Sequence, residues 1–243
     1  IKLHVTTTVK KKILITGGNG FLGESLAFKF RDKFKVFLAS RNNSENQKKS
    51  LITNTEFIPM DVSNISSVRD AVIFAKPDII IHGAATKFVD LSEKFPFECS
   101  DVNILGSTNI ARASIEKKVE TVIGISTDKA TQPIKNFYGF SKATMEKLFL
   151  NADKNSKTNF LCVRYGNVAG SRGSVIPYFI DQAKKGFITI TDRRMTRFNI
   201  SLEAVVAMVL LSIKNSYGGE ILVPKIPSFK VLDLAEAIAP ECK

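Results

Sequence analysis

The sequence lacks a hydrophobic stretch long enough to cross a bilayer, which takes about 20 apolar residues. Its longest apolar run, AVVAMVLL at 204–211, reads instead as a core helix. The first residues, IKLHVTTTVKKK, lack the apolar segment of a secretory signal. We therefore expect a cytoplasmic protein without a membrane span.

Cysteine and histidine are both scarce, with three cysteines and two histidines in the chain. Cys99, Cys162 and Cys242 are far apart, show no metal-binding spacing and cannot form a disulfide framework, which favours a reducing compartment. His4 and His82 do not form a metal-binding pair, and no carboxylate cluster has ligand spacing. The sequence predicts no metal site.

Acidic residues are fewer than basic ones, 23 against 35, which gives a net charge of +12. Such a surplus is compatible with nucleic acid, an anionic membrane or phosphate-bearing small molecules. The sequence contains no nucleic-acid-binding motif and no stacking pattern of aromatic residues. We expect small anionic ligands and no nucleic acid, and keep a noncatalytic nucleotide-binding protein as an alternative.

The 243 residues are 44% hydrophobic and 24% charged, as in an ordinary globular chain. Short β-branched runs alternate with helical patterns along the first two-thirds, which indicates βαβ units and a parallel sheet. The predicted strands are Lys12–Thr16, Lys35–Ser40, Glu56–Met60, Ile79–His82, Thr121–Ser126 and Phe160–Tyr165. The predicted helices are Phe21–Arg31, Ile65–Ala75, Pro96–Lys117 and Phe137–Ala152.

This pattern predicts an α/β fold, a Rossmann-like doubly wound parallel sheet with a small C-terminal substrate-binding lobe. The cofactor-binding domain is expected at 1–166 and the lobe at 167–243, where Gly-, Arg- and Pro-rich loops replace the regular alternation. The sequence does not begin with Met and ends just after a helix-like stretch. The possibility that the lobe is incomplete at its C-terminus therefore stays open.

The most informative early motif is TGGNGFLG at 16–23, a G-x-x-G-x-x-G run between an apolar strand and a helical pattern. Glycines there allow a tight turn and the close approach of a pyrophosphate to the helix N-terminus. A dinucleotide site is predicted. Its expected contacts are Gly17, Asn19, Gly20, Phe21, Leu22 and Gly23.

The end of the second strand indicates which dinucleotide binds. An NAD site usually has an acidic residue here, but this chain has Ser40 and Arg41, which favours NADP over NAD. Asp61 and Val62 follow the third strand, where they are expected to hold an adenine. Asp61 capping the next helix is the alternative.

Tyr138 and Lys142 in YGFSK lie on one helix face because they are four residues apart. A nearby ammonium favours the phenolate, so Lys142 is expected to lower the pKa of Tyr138 and make it a general base for an alcohol. The spacing alone is common. Its position after a strand ending in Ser126 and Thr127, behind a Gly-rich βαβ unit, makes it more specific.

TGGNGFLG, HGAA at 82–85, ISTDKA at 125–130 and YGFSK together resemble an extended short-chain dehydrogenase/reductase. STDKA, RYGNVAGSRGSVIP, ITDRRMTRF and GGEILVPKIPS are similar to the nucleotide-sugar 4,6-dehydratases of polysaccharide and flagellin-sugar biosynthesis. The inverting enzymes that act on UDP-N-acetylglucosamine are the most similar. The resemblance covers about 11–240 and implies a homo-oligomer.

The resemblance implies a redox-neutral dehydration in which NADP is recycled. Tyr138 takes the proton of the sugar 4-hydroxyl, Thr127 bonds the same oxygen, and Lys142 holds the cofactor ribose. Asp128 and Lys129 form the acid/base pair that removes water. Retaining dehydratases carry Glu at the position of Lys129, so this residue implies inversion at C5.

The resemblance also assigns ligand-binding residues outside these motifs. Ala84, Ala85 and Lys87 are expected near the cofactor, and Lys87 with Asn103 near the sugar. The expected contacts of the UDP moiety are Asn167, Ser171, Arg172, Gly173, Ser174 and Arg197. A UDP-sugar 4-epimerase is the alternative enzyme, since it needs Tyr138 and Lys142 but has no evident need for Asp128 and Lys129.

Overall fold

The computed structural model describes residues 10–171, 174–215 and 217–241. The strands of its main sheet are β1 Lys12–Thr16, β2 Lys35–Ser40, β3 Glu56–Pro59, β4 Ile79–His82, β5 Thr121–Thr127, β6 Asn159–Tyr165 and β9 Ile221–Leu222. These seven strands lie in the order β3-β2-β1-β4-β5-β6-β9, and every neighbouring pair is parallel. The predicted doubly wound α/β fold is confirmed.

Helices cover both faces of this sheet. The α-helices are accompanied by a π-helical segment, which is wider, and a 3₁₀ turn, which is tighter. The helices are α1 Phe21–Phe30, α2 Asn43–Thr53, α3 Ile65–Ala75, α4 Val89–Lys94, α5 Pro96–Cys99, α6 Gly106–Glu116, α7 Phe137–Lys154, α8 Val175–Ala183, α9 Leu202–Asn215 and α10 Val231–Ile238. A π-helical segment spans Ser100–Leu105 and a 3₁₀ turn spans Asp128–Ala130. Among the described residues, no helix combines the length and the apolar character that a bilayer span requires.

Alternation along the strands divides the core into two layers, as a sheet buried on both faces requires. On β1, Leu14 joins the layer covered by α3, α6 and α7, while Ile13 and Ile15 face the layer covered by α1 and α9. Phe149 of α7 and Leu26 of α1 are fully buried, one in each layer. The sheet is therefore fixed from both sides, and the ends of its strands are left to form a site.

Helix α2 was not predicted because it is polar, NSENQKKSLIT, and has no apolar stripe. The Asn42 side chain caps it by accepting a hydrogen bond from Glu45 N at 3.1 Å. Asn46 is fully buried and donates from Nδ2 to the carbonyls of Leu38 and Ile58. Asn46 thus attaches the helix to β2 and β3 by hydrogen bonds, so the apolar periodicity by which a helix is predicted is absent.

The helix predicted at Pro96–Lys117 is present but not regular. It consists of α5, the π-helical segment and α6. The wider turn includes Asn103, whose buried amide bonds the Thr86 backbone and the Ser141 hydroxyl. A π-helical turn inside a helix is commonly found at a functional site. Helix α4 was not predicted either, because six residues are too few for a period to be visible.

The described residues after 166 contribute partly to the main sheet and partly to a second, smaller sheet. Strand β9 extends the main sheet beside β6, and α9 packs on α1 and β6. Strands β7 Asn167–Val168, β8 Thr196–Ile200 and β10 Ser228–Lys230 form a second sheet, near which α8 and α10 pack on each other. The substrate lobe at 167–243 stays a prediction.

Candidate active site

A cavity of about 890 Å³ opens at the carboxyl ends of the strands, where the strand order reverses between β1 and β4. Ligands of open parallel sheets bind at such a point. The cavity brings together most of the residues predicted from the sequence. These are Gly17, Asn19, Gly20, Phe21, Leu22, Gly23, Arg41, Ala84, Ala85, Lys87, Thr127, Lys129, Tyr138, Lys142, Asn167, Ser171, Ser174 and Arg197.

The Gly-rich loop forms one wall of the cavity and passes close to the end of β4. Gly17 has a φ of +70°, and a Cβ there would lie 2.9 Å from Ala84 N, so only glycine fits both the backbone and the contact. Gly20 N donates to Gly17 O at 2.9 Å, and Gly20 itself precedes α1 without a side-chain cap. A dinucleotide pyrophosphate fits this uncapped helix N-terminus.

A chain of hydrogen bonds behind the cavity connects β1, β4 and α6. Ala84 N donates to Thr16 Oγ1 at 3.1 Å, and Thr16 Oγ1 lies 2.8 Å from His82 Nδ1. His82 Nε2 lies 3.1 Å from Ser107 Oγ, which donates to the carbonyl of Asn103. These hydrogen bonds fix the end of β1, where the Gly-rich loop begins, against the HGAA segment at the end of β4.

The donors along this chain define the state of His82. Ser107 gives its proton to a carbonyl, so it accepts from His82 Nε2, and Nδ1 accepts from Thr16. The ring is fully buried, and burial together with the nearby Lys142 lowers its pKa to about 3. His82 is a neutral structural residue.

Asn103 is also buried and lies outside the cavity wall, and its expected place near the sugar stays a prediction. Its Oδ1 accepts from Thr86 N at 2.8 Å, and its Nδ2 donates to Thr86 O and Ser141 Oγ. Lys87 follows Thr86 in this loop and lines the cavity. Asn103 therefore holds the loop to the helix of Ser141.

Thr127, Asp128 and Lys129 form a continuous hydrogen-bonded group at the end of β5. Thr127 Oγ1 donates to Asp128 Oδ1 at 3.0 Å, and Lys129 Nζ donates to the same oxygen at 3.1 Å. Lys129 Nζ also lies 3.4 Å from Asn167 Oδ1 of β7. About a third of each charged side chain is exposed, and Lys129 lines the cavity whereas Asp128 lies outside its wall.

Helix α7 begins against this group, which brings Tyr138 to it. The Asn136 side chain caps the helix by accepting from Gly139 N at 2.8 Å, and Phe137 N donates to Glu93 of α4. A Cβ on Gly139 would collide with the Lys129 carbonyl, so glycine permits the close approach. A hydrogen bond joins the Tyr138 and Thr127 side chains.

The expected lowering of the Tyr138 pKa is wrong for this structure. Burial raises the pKa of Tyr138 to about 12, although the hydrogen bond with Thr127 opposes the rise. Lys142 is buried as well, which lowers its own pKa to about 8, and its Nζ lies 3.1 Å from Met145 Sδ. The i, i+4 spacing places the two side chains on one helix face, but Lys142 is not among the groups that shift the pKa of Tyr138, and loss of water sets its direction.

The residues predicted for the adenosine end lie in two settings. Arg41 lines the cavity and pairs with Glu98 of α5, with Nη2 3.4 Å from Oε1 and both side chains more than half exposed. Ser40 is buried and donates to Asn42 O, away from the cavity wall. Of Ser40 and Arg41, only Arg41 lines the cavity.

Asp61 and Val62 also lie outside the cavity wall. Asp61 Oδ1 accepts from Ser63 N and Ser63 Oγ, which closes a turn of its own backbone. Val62 is buried against Gly106 of α6. The following helix is capped instead by Asn64. The expected contact of Asp61 and Val62 with an adenine stays a prediction.

The second sheet and α8 supply the opposite wall of the cavity. Ser174 precedes α8, and within the described part of the chain its buried Oγ atom has no hydrogen-bond partner. Arg197 of β8 donates to Thr196 O, and Ser171 lies at the same wall. Arg172 and Gly173 lie outside the described residues. A hydroxyl without a partner beside a helix N-terminus suits an anionic ligand.

Sequence reasoning missed Glu98, which reaches the cavity beside Arg41, and the bonding roles of Thr16 and Ser107. Glu98 is one of several acidic residues in a helical pattern, and its partner is 57 positions away. No local signal marks such a contact. Thr16 could have been suspected from its position at the end of β1, opposite the end of β4.

The sheet order, the glycine loop and the Tyr138–Lys142 helix together define an extended short-chain dehydrogenase/reductase. Residues 13–242 match the family model described as "Polysaccharide biosynthesis protein". The chain belongs to that family.

Individual relatives carry two different names. A UDP-N-acetylglucosamine 4,6-dehydratase (inverting) of Campylobacter jejuni is 40% identical over 240 residues, 95% of this chain and 72% of the relative. A UDP-glucose 4-epimerase of Rickettsia bellii is also 40% identical, over 95% of this chain and 70% of the relative. The solved structure of Pen from Bacillus thuringiensis is similar with a TM-score of 0.88 at 35% identity, covering 95% of this chain and 73% of that one.

The state of His82 predicts how stability depends on pH. Its pKa in the folded protein, about 3, is below the ordinary value of 6.5, so the unfolded chain binds a proton more readily. The free energy of unfolding should fall as the pH drops from about 6.5 towards 3, by at most about 1.4 kcal/mol per pH unit from this residue. Urea unfolding of the wild type and of His82→Gln at several pH values measures it.

The two curves should become less separated as the pH falls, because the glutamine side chain of the variant does not titrate. Parallel curves across this range would show that His82 does not contribute to the acid lability.

Proposed function

We propose that this chain is an NADP-dependent dehydratase of UDP-N-acetylglucosamine that inverts C5 and makes a UDP-4-keto-6-deoxy amino sugar for surface polysaccharide or glycoprotein biosynthesis. The observation that carries the proposal is the joining of two proton-transfer pairs, Tyr138 with Thr127 and Asp128 with Lys129, through one set of hydrogen bonds. One pair suits alcohol oxidation, and the other suits loss of water from the ketone.

The residues of the cofactor side fit a nicotinamide dinucleotide. The loop of Gly17 and Gly20 leaves room for a pyrophosphate at the start of α1, and Lys142 and Ala84 line the same cavity. When bound, this cofactor supplies the hydride acceptor and a positive charge on its oxidised ring. Arg41 meets the 2′-phosphate of NADP, giving up its ion pair with Glu98. An exposed pair of this kind is worth only about 0.2–1 kcal/mol, so the exchange costs little.

Tyr138 takes the proton of the sugar hydroxyl, and Thr127 orients the same oxygen. The raised pKa keeps the tyrosine protonated at neutral pH until a positive charge enters the cavity. The ketone stays at C4: once water has left, the hydride taken from C4 would return to C6 and a proton would be added at C5, so that the reaction is redox-neutral. Because Tyr138 is buried, its pKa depends strongly on the charges of the ligands bound beside it.

Lys129 and Asp128 remove water from the ketone. Their direct contact, 3.1 Å from Nζ to Oδ1, is the arrangement needed for one proton to move from the ammonium to the carboxylate. The product of that transfer is a neutral amine, which removes the acidified C5 proton, and a carboxylic acid, which protonates the departing hydroxyl of C6. Asn167 keeps the amine oriented. The pair forms its own base and acid without external exchange.

The UDP moiety lies against the wall formed by α8 and β8. Ser174 and Ser171 donate to phosphate oxygens, and Arg197 adds a positive charge. Arginine suits a diphosphate because its planar group presents several donors. Lys87 approaches the sugar from the other wall.

A UDP-sugar 4-epimerase is the second candidate, because the Rickettsia bellii relative bears that name at the same identity as the dehydratase. An epimerase uses Tyr138 and Thr127 for oxidation and re-reduction at C4. It has no step that needs Asp128 and Lys129. The two candidates therefore differ in the dependence on Lys129.

The product of UDP-N-acetylglucosamine tests the first candidate. We expect the purified chain with NADP in D₂O to give a 4-keto-6-deoxy sugar with deuterium at C5, since the C5 proton is removed and returned from solvent. Proton and carbon NMR of the nucleotide sugar measure it. A 4-epimer without loss of the 6-hydroxyl would support the second candidate. An unchanged sugar would contradict both and favour a noncatalytic nucleotide-binding protein.

Replacing Lys129 separates the candidates again. Lys129→Met preserves the length of the side chain but not the base, so dehydration should fall at least about 100-fold. Lys135→Met is the matched control, since Lys135 is an exposed lysine of the neighbouring loop. Rates of ketone formation with each variant measure the effect. Full activity of Lys129→Met would remove Lys129 from the mechanism.

The choice of cofactor depends on Arg41. We expect the wild type to bind NADP more tightly than NAD, and Arg41→Met to weaken NADP binding about tenfold without changing NAD binding, because one charged hydrogen bond is lost. Lys48→Met, an exposed lysine of α2, is the control. Titration calorimetry with both dinucleotides gives the affinities. Equal affinities in the wild type would refute the preference for NADP.

A further inference from the structure

A buried ion pair lies behind the candidate active site. Arg164 of β6 donates to Glu146 of α7 through Nε at 2.9 Å and Nη2 at 2.5 Å. Ser126 Oγ of β5 donates to the same carboxylate at 2.5 Å. Only 4% of the Glu146 side chain and 20% of the Arg164 side chain are exposed. Three donors thus hold one carboxylate in a fixed position.

This pair connects the elements that carry the proposed proton-transfer groups. Ser126 directly precedes Thr127, and Glu146 follows Lys142 by one helical turn. Arg164 Nη1 also lies 3.5 Å from Thr131 Oγ1, just after the turn that holds Asp128 and Lys129. Neither Glu146 nor Arg164 is part of the cavity wall. They act on the site without touching a ligand.

We propose that Glu146, clamped by Arg164 and Ser126, is a positioning residue that keeps the Lys142 ammonium charged and aligned with the Thr127–Lys129 segment. The proposal rests on the proposed function for its effect on turnover. Its effect on Lys142 itself does not depend on any substrate.

The surroundings of Lys142 explain why one carboxylate matters. Burial lowers the pKa of Lys142 to about 8, and the neighbouring Cys162 and Glu146 side chains oppose this. Two groups that face Lys142 are neutral at pH 7, because burial raises the pKa of the Cys162 thiol to about 12 and lowers that of His82 to about 3. Glu146 is the carboxylate among these groups.

Neutralising Glu146 should therefore lower the pKa of Lys142. Glu146→Gln keeps an oxygen for Ser126 but removes the negative charge and leaves Arg164 as an unpaired cation. Both changes disfavour the ammonium. Arg164→Gln does the reverse, because it leaves the carboxylate without its cation. A purely mechanical clamp predicts no shift of opposite sign in the two variants.

The experiment measures Lys142 in the whole chain, without substrate, by NMR of protein labelled with ¹³C at lysine Cε. The signal missing from Lys142→Arg identifies the residue. We expect Glu146→Gln to lower the titration midpoint by about one pH unit and Arg164→Gln to raise it. Glu116→Gln is the matched control, because Glu116 makes a similar double contact with Arg69 on the surface. Its midpoint should equal that of the wild type.

Turnover gives the second readout. The alkaline limb of the kcat profile of Glu146→Gln should move to lower pH by the same amount, with KM for the nucleotide sugar unchanged. Glu146→Asp keeps the charge and should restore the midpoint even where the shorter side chain lowers kcat.

An unshifted Lys142 midpoint in folded Glu146→Gln overturns the proposal, as does a shift of the same sign in Arg164→Gln. If Glu146→Gln does not fold, as judged by circular dichroism, Arg164→Gln and Glu146→Asp decide by the same midpoint. A wild type that turns over no nucleotide sugar would refute the proposed function, while the titration would still test the role of Glu146.

Discussion

The hydrogen bond between Thr16 and His82 joins the ends of the two paired strands between which the site opens. The backbones of β1 and β4 are paired in parallel up to these two residues, and the side-chain bond adds to this pairing where the strands end. Here Thr16 also accepts from Ala84, and His82 continues the contact to Ser107 on α6. The glycine loop, the HGAA segment and the helix behind them are thus registered to one another. A cavity with defined walls depends on this contact.

Much of the fold could be predicted because its strands are short β-branched runs and its covering helices are mostly apolar on one side. The polar helix α2 could not, since its place depends on the buried Asn46 that bonds two strands. The cavity residues of the glycine loop and of β5 follow from their position at strand ends. Position alone does not tell where a side chain points. The hydrogen bonds from Ser63 N to Asp61 and from Thr86 N to Asn103 could therefore not be predicted.

The charges of the site show a second limit of sequence reasoning. Spacing placed Tyr138 and Lys142 on the same helix face, but their protonation depends on how much water the fold removes. Burial shifts the two pKa values in opposite directions, up for the phenol and down for the amine. Both shifts favour neutral groups. At neutral pH this leaves Tyr138 protonated, while Lys142, with a pKa of about 8, is still mostly charged.

Strand β9 has a mechanical consequence. The chain leaves β8 in the second sheet, crosses to the main sheet as α9 and β9, and returns to the second sheet as β10. With the earlier connection from β6 to β7, the backbone passes between the two sheets three times, and β9 is hydrogen-bonded to β6, the strand that leads into the site. A hinge at a single linker cannot exist in this arrangement. Any movement of one sheet against the other has to bend all three connections together.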